Sequence, residues 1–116
     1  MITSRKSLYE LLSSVFSTRE NGYKGSSSVA RMPYMNYYFA GSDNTSADNK
    51  VSSKICEFRI ELYSKIPEAE KDRSKLEKAF DSNSIFYDWD ESPLNEFGAV
   101  MSTYKISIYL RKESEE

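Results

Sequence analysis

Histidine is absent from this sequence, and cysteine occurs once, at Cys56. Without histidine, neither a Ser-His-Asp triad nor a Cys-His nucleophile can be built. The Cys/His zinc sites that are common in proteins are excluded within one chain for the same reason. A single cysteine also excludes a disulfide within the chain, which fits a reducing compartment. These two counts argue against most hydrolytic and zinc-dependent activities.

The sequence also lacks the segments that place a protein in or across a membrane. No apolar run approaches the roughly 18 residues that a membrane-spanning helix needs. Near the start of the chain, Tyr9-Glu10 and Ser13-Ser14 interrupt a short apolar stretch, so a signal peptide is not predicted. We therefore expect a soluble intracellular protein.

The charge balance argues against nucleic acid as a specific partner. Lys and Arg number 16 against 18 Asp and Glu, which gives a net charge of −2. Binding of duplex DNA relies on a basic surface that neutralises phosphates, so tight DNA binding is not expected. The four glycines are scattered and form no phosphate-binding loop.

Aromatic residues, by contrast, are abundant: they make up 14% of the chain and include nine tyrosines. This content is too high for a disordered chain. A chain of 116 residues is long enough for one hydrophobic core and too short for two. We therefore predict a single domain over residues 1–116, with a charged, frayed tail from about residue 112.

Two segments show the spacing of amphipathic helices. The first is predicted over about residues 4–17, with Thr3 or Ser4 as its N-cap. The second is predicted to start at Ile66-Pro67-Glu68, because proline suits the first helical position. The apolar stripes consist of Leu8, Leu11, Leu12, Val15 and Phe16 in the first helix, and of Ala69, Leu76 and Phe80 in the second.

Four further segments show the composition of β-strands, and these are residues 34–39, 53–63, 85–89 and 100–110. The clearest is the second, because its apolar and charged side chains alternate. One apolar and one wet face are typical of an antiparallel, half-buried strand. Its apolar side is formed by Cys56, Phe58, Ile60 and Leu62, and its polar side by Glu57, Arg59 and Glu61.

The order helix–strand–strand–helix–strand–strand predicts an α+β fold. We expect a mostly antiparallel four-stranded sheet with both helices packed on one face. The acids and proline of Asp90–Pro93 predict a turn after the third strand, extending to about Gly98. The second face of the sheet is then either wet or used against another subunit.

Three acidic residues, Asp88, Asp90 and Glu91, form one candidate for a chemical site. Neighbouring carboxylates can hold a hard metal ion or divide acid and base roles. We favour a solvated strand end, because neither a glycine-rich loop nor a further polar cluster accompanies them. Cys56 lies on the apolar side of its strand and is expected to be a buried, inert thiol. We therefore expect no catalytic residue, no metal and no cofactor.

A polar loop, GSDNTSADN over residues 41–49, is long for a hairpin connection and is a candidate for a working role. It resembles a calcium loop in composition only, because the sixth position counted from Asp43 is Asp48, where an EF-hand requires glycine. Recognition of a protein partner suits this loop better, through Asp43, Asn44, Asp48 and Asn49. The abundant tyrosine also favours an interaction module, since tyrosine is enriched at interfaces.

Several short motifs occur in an order that is similar to a known group of proteins. They are Met32-Pro-Tyr34 with Asn36-Tyr-Tyr38, then Asp43-Asn44 and Ala47-Asp-Asn49, then Phe58-Arg-Ile-Glu-Leu-Tyr63, and finally Leu76-Glu-Lys-Ala-Phe80 with Ile85-Phe-Tyr87. This order resembles small prophage proteins from the head–tail connector region of long-tailed bacteriophages of Gram-positive hosts, in the tail-terminator or tail-completion group. The resemblance covers about Met32 to Leu110.

The resemblance implies a structural role in the virion, with assembly in the host cytoplasm. Such a protein forms a ring, expected to be a hexamer, that caps the tail tube and offers a surface to head-completion proteins. Phage DNA passes through the lumen without specific binding, and no catalysis is needed. On this hypothesis the loop Gly41–Lys50 reaches an axial neighbour, while Glu57, Arg59, Glu61 and Lys105 meet the next subunit.

Two other functions remain open at this point. One is a head-completion or adaptor protein of the neck, which would also form a ring but dock on the portal side. The other is a small monomeric protein-binding module with no role in a virion. A mass measurement separates the monomer from both rings, and binding to tail-tube or neck proteins separates the rings from each other.

Overall fold

The computed structural model describes residues 2, 4–20, 32–43, 53–94 and 98–111, without the side chains of residues 42–43, 53–54 and 110–111. These residues form an α+β fold with two helices and a mixed sheet, which confirms the predicted class. No helix among them is long and apolar enough to cross a membrane. In chain order the elements are α1 (Arg5–Val15), β1 (Ser17–Glu20), β2 (Tyr34–Asp43), β3 (Ser53–Lys65), a 3₁₀ turn (Ile66–Glu68), α2 (Ala69–Ser82), β4 (Tyr87–Leu94) and β5 (Ala99–Arg111).

The sheet has five strands in the order β1-β2-β3-β5-β4, one more than predicted. The pairs β2–β3, β3–β5 and β5–β4 are antiparallel. The additional strand, β1, runs parallel to β2, with Ser17 opposite Tyr34 and Glu20 opposite Tyr37. The four-stranded prediction missed β1 because its four residues are too few and too polar to show an alternating pattern.

The first helix begins with a reciprocal cap. The Ser7 amide donates to Ser4 Oγ at 3.1 Å, and the Ser4 amide donates to Ser7 Oγ at 3.1 Å. This arrangement satisfies two amides that the helix leaves free, and it confirms Ser4 as the N-cap. α1 ends at Val15, earlier than predicted, because Phe16 adopts extended backbone with φ −145° and ψ 162°. That conformation leads directly into β1.

Both helices pack on the same face of the sheet, as predicted. Leu8 and Leu12 of α1 and Leu76 and Phe80 of α2 share one buried cluster with side chains of the strands. The central strand β3 contributes the four apolar residues of its predicted buried side, and all four are at most 1% exposed; they are Cys56, Phe58, Ile60 and Leu62. Burial of each large apolar side chain contributes about 1.5–3 kcal/mol.

β4 lies later in the chain than predicted, over Tyr87–Leu94 rather than residues 85–89. The predicted turn at Asp90–Pro93 is therefore wrong, since these residues pair with β5 and Pro93 lies opposite Val100. β4 is the last strand of the sheet, and an edge strand tolerates proline because it has no second ladder to complete.

A Schellman motif ends α2 and directs the chain toward β4. The Ile85 amide donates to the Phe80 carbonyl at 2.9 Å, and the Ser84 amide donates to the Asp81 carbonyl at 3.2 Å. Ser84 has a φ of +57°, in the left-handed region where glycine is usual. The motif places Ile85 in the core, where its side chain is 6% exposed.

Candidate protein-interaction surface

The second face of the sheet is covered by neither α1 nor α2, and we call it the open face. Because side chains alternate along each strand, this face carries the residues that lie between the buried ones. Its exposed or half-buried side chains are mostly charged or aromatic, and they include Tyr38, Glu57, Arg59, Glu61, Tyr63, Asp88, Asp90, Lys105 and Tyr109. A surface of this composition can bind another protein by ionic and aromatic contacts.

The strand register brings three of the four predicted subunit-contact residues together. Arg59 of β3 lies opposite Lys105 of β5, and Lys105 lies opposite Asp88 of β4. The predicted residues Glu57, Arg59 and Lys105, together with Asp88 and Ala40, line a shallow depression of about 360 Å³. Two cations therefore lie side by side in the depression, with one carboxylate on β3 and another on β4.

The fourth predicted residue, Glu61, takes part in a network that fixes Arg59. Glu61 Oε1 accepts a hydrogen bond from Tyr63 Oη at 3.0 Å, and Glu61 Oε2 lies 3.5 Å from Arg59 Nε. The Arg59 guanidinium lies over the Tyr38 ring, 4.8 Å from its centroid. Held from both sides, Arg59 loses less conformational freedom on binding a partner, which favours association.

The phenols of this network are donors at neutral pH. Burial raises the pKa of Tyr38, and the Glu61 carboxylate beside it raises that pKa further. The same two causes, burial first, raise the pKa of Tyr63. Both hydroxyls therefore stay protonated over the physiological range and present O–H groups to the carboxylate.

One end of the open face is closed by the chain's own side chains. The Tyr34 and Tyr63 rings stack with their centroids 4.8 Å apart, and Tyr34 and Asn36 are each 6% exposed. Asn36 Oδ1 is buried and has no hydrogen-bond partner. Sequence reasoning gave Asn36 no role, because burial on the polar side of a strand depends on neighbouring strands. The accessible part of the surface is the opposite end, around the depression.

The three acids of the candidate chemical site do not form one cluster. Asp88 and Asp90 are two residues apart on the open face, as predicted for a strand. Glu91 lies on the other face, where its Oε1 is 3.0 Å from Arg73 Nη1. Among the described residues, no three His, Cys, Asp or Glu side chains come together in a way that could hold a metal ion. Cys56 is buried, as predicted, at 1% exposure.

Of the four predicted partner-binding residues, only Asp43 lies in the described part of the chain, and only its backbone is described. Asp43 is the last residue of β2 and pairs with Ile55 of β3, so the strand continues further than residue 39. The other three predicted residues, Asn44, Asp48 and Asn49, lie outside the described residues. A bulge between Phe39 and Gly41 precedes this end of β2, and Gly41 has a φ of +141°, which favours glycine.

The open face offers ammonium, guanidinium, carboxylate and phenol groups side by side, and this arrangement suits non-covalent contact with a protein. Glu57, Arg59, Glu61 and Lys105 all lie on it, whereas sequence reasoning alone could not place Asp88 beside them, because that contact depends on the register of β4. No protein-family model matches the chain, and a comparison with curated proteins finds no match.

Proposed function

We propose that this chain is a structural protein of the head–tail junction of a bacteriophage or prophage. It forms a ring that terminates the tail tube and joins the tube to head-completion proteins. The single observation that carries the proposal is the open face, an uncovered sheet surface with a charged depression and flanking tyrosines. The order of motifs between Met32 and Leu110 supports the choice of this family of virion proteins.

The size of the open face fits a protein contact. Five strands spaced about 4.8 Å apart give a width of about 20 Å, and the long strands β3 and β5 give a length of about 40 Å. Since β1 and β4 are shorter and the end at Tyr34 and Asn36 is closed, the accessible area is below the product of about 800 Å² and falls in the range of a small protein interface. Because Arg59 and Lys105 lie beside Glu57 and Asp88, the depression suits a partner surface that carries both carboxylates and cations, and Arg59 and Lys105 attract the carboxylates.

The polar loop supplies a second contact in this proposal. β2 leads into it at Asp43, and Asn44, Asp48 and Asn49 offer carboxylate and amide groups to an axial neighbour. The bulge at Gly41 bends the end of β2, because an extra residue on one strand increases the local twist. In this proposal the loop and the open face bind other proteins of the virion, and the hydrophobic core positions these two surfaces.

A binding experiment with a charge-reversed open face tests this function. The variant Arg59→Glu/Lys105→Glu reverses both cations of the depression, and the exposed pair Lys6→Glu/Lys78→Glu makes the same charge change on the helices. We expect the first variant to lose binding to the tail-tube protein of the same phage or prophage, and the second to keep it. Equal binding by both variants contradicts the role of the open face.

The mass of the purified chain tests the ring. Native mass spectrometry and sedimentation across a concentration series should show a closed oligomer, alone or in the presence of the tail-tube protein. A ring that binds neck proteins and not tail-tube proteins would favour the adaptor function. A monomer under every condition would contradict both rings and favour the remaining alternative, a small monomeric protein-binding module.

A further inference from the structure

Phe86 is the most exposed large apolar side chain of the described residues, at 88% of its free area. It follows Ile85, which the Schellman motif holds in the core, so the next side chain faces outward. Asp88 and Asp90 follow two and four residues later, and both are exposed. We call Phe86 with these two acids the acidic knob. Aromatic residues are enriched in the buried core of protein interfaces, and polar residues form the rim.

A cleft with the complementary composition lies elsewhere on the molecule. It measures about 460 Å³, has an apolar floor and is rimmed by lysines, and its lining includes Phe16, Met32, Pro33, Lys65, Lys71 and Lys75. Lys75 Nζ lies 5.3 Å from the centroid of the Phe16 ring, so the ammonium stands over the floor. We call this site the lysine-rimmed cleft, and it is large enough to receive a phenyl ring.

Two carboxylates, Glu68 and Asp72, also line the lysine-rimmed cleft, and they offset part of the positive charge of its three lysines. Glu68 Oε1 lies 3.0 Å from Lys71 Nζ, which leaves Lys65 and Lys75 to meet an incoming acid. Asp72 is 5% exposed, and its Oδ2 is buried without a hydrogen-bond partner. An occupant that brings an apolar group to the floor and carboxylates to Lys65 and Lys75 therefore suits the cleft.

The acidic knob cannot reach the cleft of its own chain. The cleft extends along the N-terminal half of α2 as far as Lys75, and Phe86 follows the C-terminal end, so the helix from Lys75 to Ser82 alone separates them by about 10 Å. The cleft also adjoins the β1 side of the sheet through Phe16, whereas Phe86 precedes β4 at the other edge. The occupant must then come from another molecule.

We propose that the occupant is a second copy of this chain, which inserts its acidic knob into the lysine-rimmed cleft. Phe86 of one copy packs on Phe16, Met32 and Pro33 of the next, while Asp88 and Asp90 approach Lys65 and Lys75. A knob and a cleft on opposite edges make a head-to-tail contact. Such a contact propagates, and it closes into a ring when the rotation between copies permits.

This inference deepens the proposed function, on which its ring geometry rests, and it changes the expected site of the subunit contact. The sequence hypothesis assigned that contact to the strand face residues Glu57, Arg59, Glu61 and Lys105. This contact covers the open face only at its β4 edge, at Asp88 and Asp90, and leaves the part on β2, β3 and β5 uncovered in the ring. That part, with Arg59 and Lys105, is then available to a tail-tube or neck protein.

Point variants with matched controls test the contact. Phe86→Ser removes the knob, and Tyr109→Ser removes an aromatic ring that is 65% exposed on the open face. Lys75→Glu reverses a charge on the cleft rim, and Lys78→Glu makes the same change at an exposed residue one turn away, outside the cleft lining. We expect Phe86→Ser and Lys75→Glu to weaken self-association about tenfold or more, measured by sedimentation. The two control variants should match the unmodified chain.

A mixing experiment tests the head-to-tail geometry directly. The Phe86→Ser chain keeps a working cleft, and the Lys75→Glu chain keeps a working knob. Mixed together, they should form a one-to-one pair by native mass spectrometry and stop there, because the pair has only one intact contact. Higher salt should weaken that pair, since part of the attraction is ionic.

Each outcome distinguishes this inference from the proposed function. If the chain forms rings and Tyr109→Ser breaks them while Phe86→Ser does not, the inference fails and the ring survives with its contact on the open face. If the mixed variants do not pair, the knob and cleft are not partners. If the unmodified chain stays monomeric at every concentration, with and without the tail-tube protein, both fail. Circular dichroism of each variant checks that the fold is intact.

Discussion

Tyr104 donates a 2.7 Å hydrogen bond to Oε2 of Glu77, and this bond ties the middle of β5 to α2 across the core. Tyr104 is fully buried, and its ring meets those of Phe80 and Tyr87 edge to face, with centroids 5.5 Å away in both cases. Burial raises the pKa of Tyr104, and the Glu77 carboxylate that accepts its hydrogen bond raises that pKa further. The phenol is therefore held as a donor, and the helix is held in one position over the sheet.

Tyr104→Phe should lower the free energy of unfolding by about 1–2 kcal/mol, because it removes a charge-assisted hydrogen bond and keeps the ring. Tyr109→Phe is the matched control, since that side chain is 65% exposed. The control should change stability by less than about 0.5 kcal/mol. Urea unfolding curves for both variants give the comparison. If both lie within 0.5 kcal/mol of the unmodified protein, by the same rough margin for surface changes, the Tyr104 bond contributes little.

The free energy of unfolding should decrease in alkaline solution because of the buried tyrosines. Tyrosine in an unfolded chain has a pKa of about 10. Burial, with a smaller effect of the Glu20 carboxylate, raises the pKa of Tyr37 to about 12, and burial also raises those of Tyr63 and Tyr104. Above about pH 10 the unfolded chain loses protons that the folded chain retains, so the free energy of unfolding decreases as pH rises.

Unfolding curves at several pH values on both sides of pH 10, the approximate tyrosine pKa, measure this effect. The contribution of these tyrosines should be constant below that pH and should decrease through the pKa of about 12 of Tyr37. Phenolate absorbance gives an independent check, because part of it should appear only as the protein unfolds. A folded protein in which all nine tyrosines titrate together near pH 10 would contradict the raised values.

Ile60→Ala and Ile106→Ala should each cost about 2–5 kcal/mol, since each leaves a cavity at the centre of the sheet. Ile60 is 0% and Ile106 is 2% exposed. Ile66→Ala is the control, because that side chain is 50% exposed in the 3₁₀ turn. Thermal and urea unfolding should rank the two core variants well below the control. Equal losses in all three variants would mean that the predicted core is wrongly placed.

Ser84→Gly should raise stability by about 0.5–1 kcal/mol. Ser84 has a φ of +57°, and a left-handed conformation costs an L-residue about 1–2 kcal/mol that glycine avoids. Part of this gain is offset by the larger entropy of glycine in the unfolded chain. Ser82→Gly, two residues earlier in the last turn of α2, should instead lower stability by about 0.5–1 kcal/mol. A loss in both variants would show that backbone entropy dominates at Ser84.

The elements that sequence reasoning predicted well are those whose signal is local. The alternation of Phe58, Arg59 and Ile60 follows from the two-residue period of a strand, and the cap at Ser4 needs only its next turn. β1 was missed because its pairing with β2 joins residues about 17 positions apart, as Ser17 with Tyr34 shows. Pro93 predicted a turn because proline favours turns locally. Its actual place, on an edge strand, depends on the strand order, which is a property of the whole fold.

In the candidate surface, too, the features with a local sequence signal could be predicted, and those that depend on strand register could not. Exposure of Glu57 and Arg59 could be predicted, since charged residues alternate with buried ones. The depression could not be predicted, because it needs the register that sets Arg59 opposite Lys105 and Lys105 opposite Asp88. Arg73 is a similar case: its contacts with Glu91, at 3.0 Å, and with the Trp89 ring, at 4.7 Å, join a helix to an edge strand.

The central strand β3 is paired with β5 along its full length and with β2 from Ile55 to Tyr63. A residue inserted just before Glu57 would reverse the sides of the later residues of the strand, directing Glu57 and Arg59 into the hydrocarbon interior while Phe58 and Ile60 met water. Length changes should therefore be tolerated in the connections that follow Asp43 and Leu94, and rejected within Ser53–Lys65. A library of single-residue insertions along the gene, selected for folded product, would map that boundary.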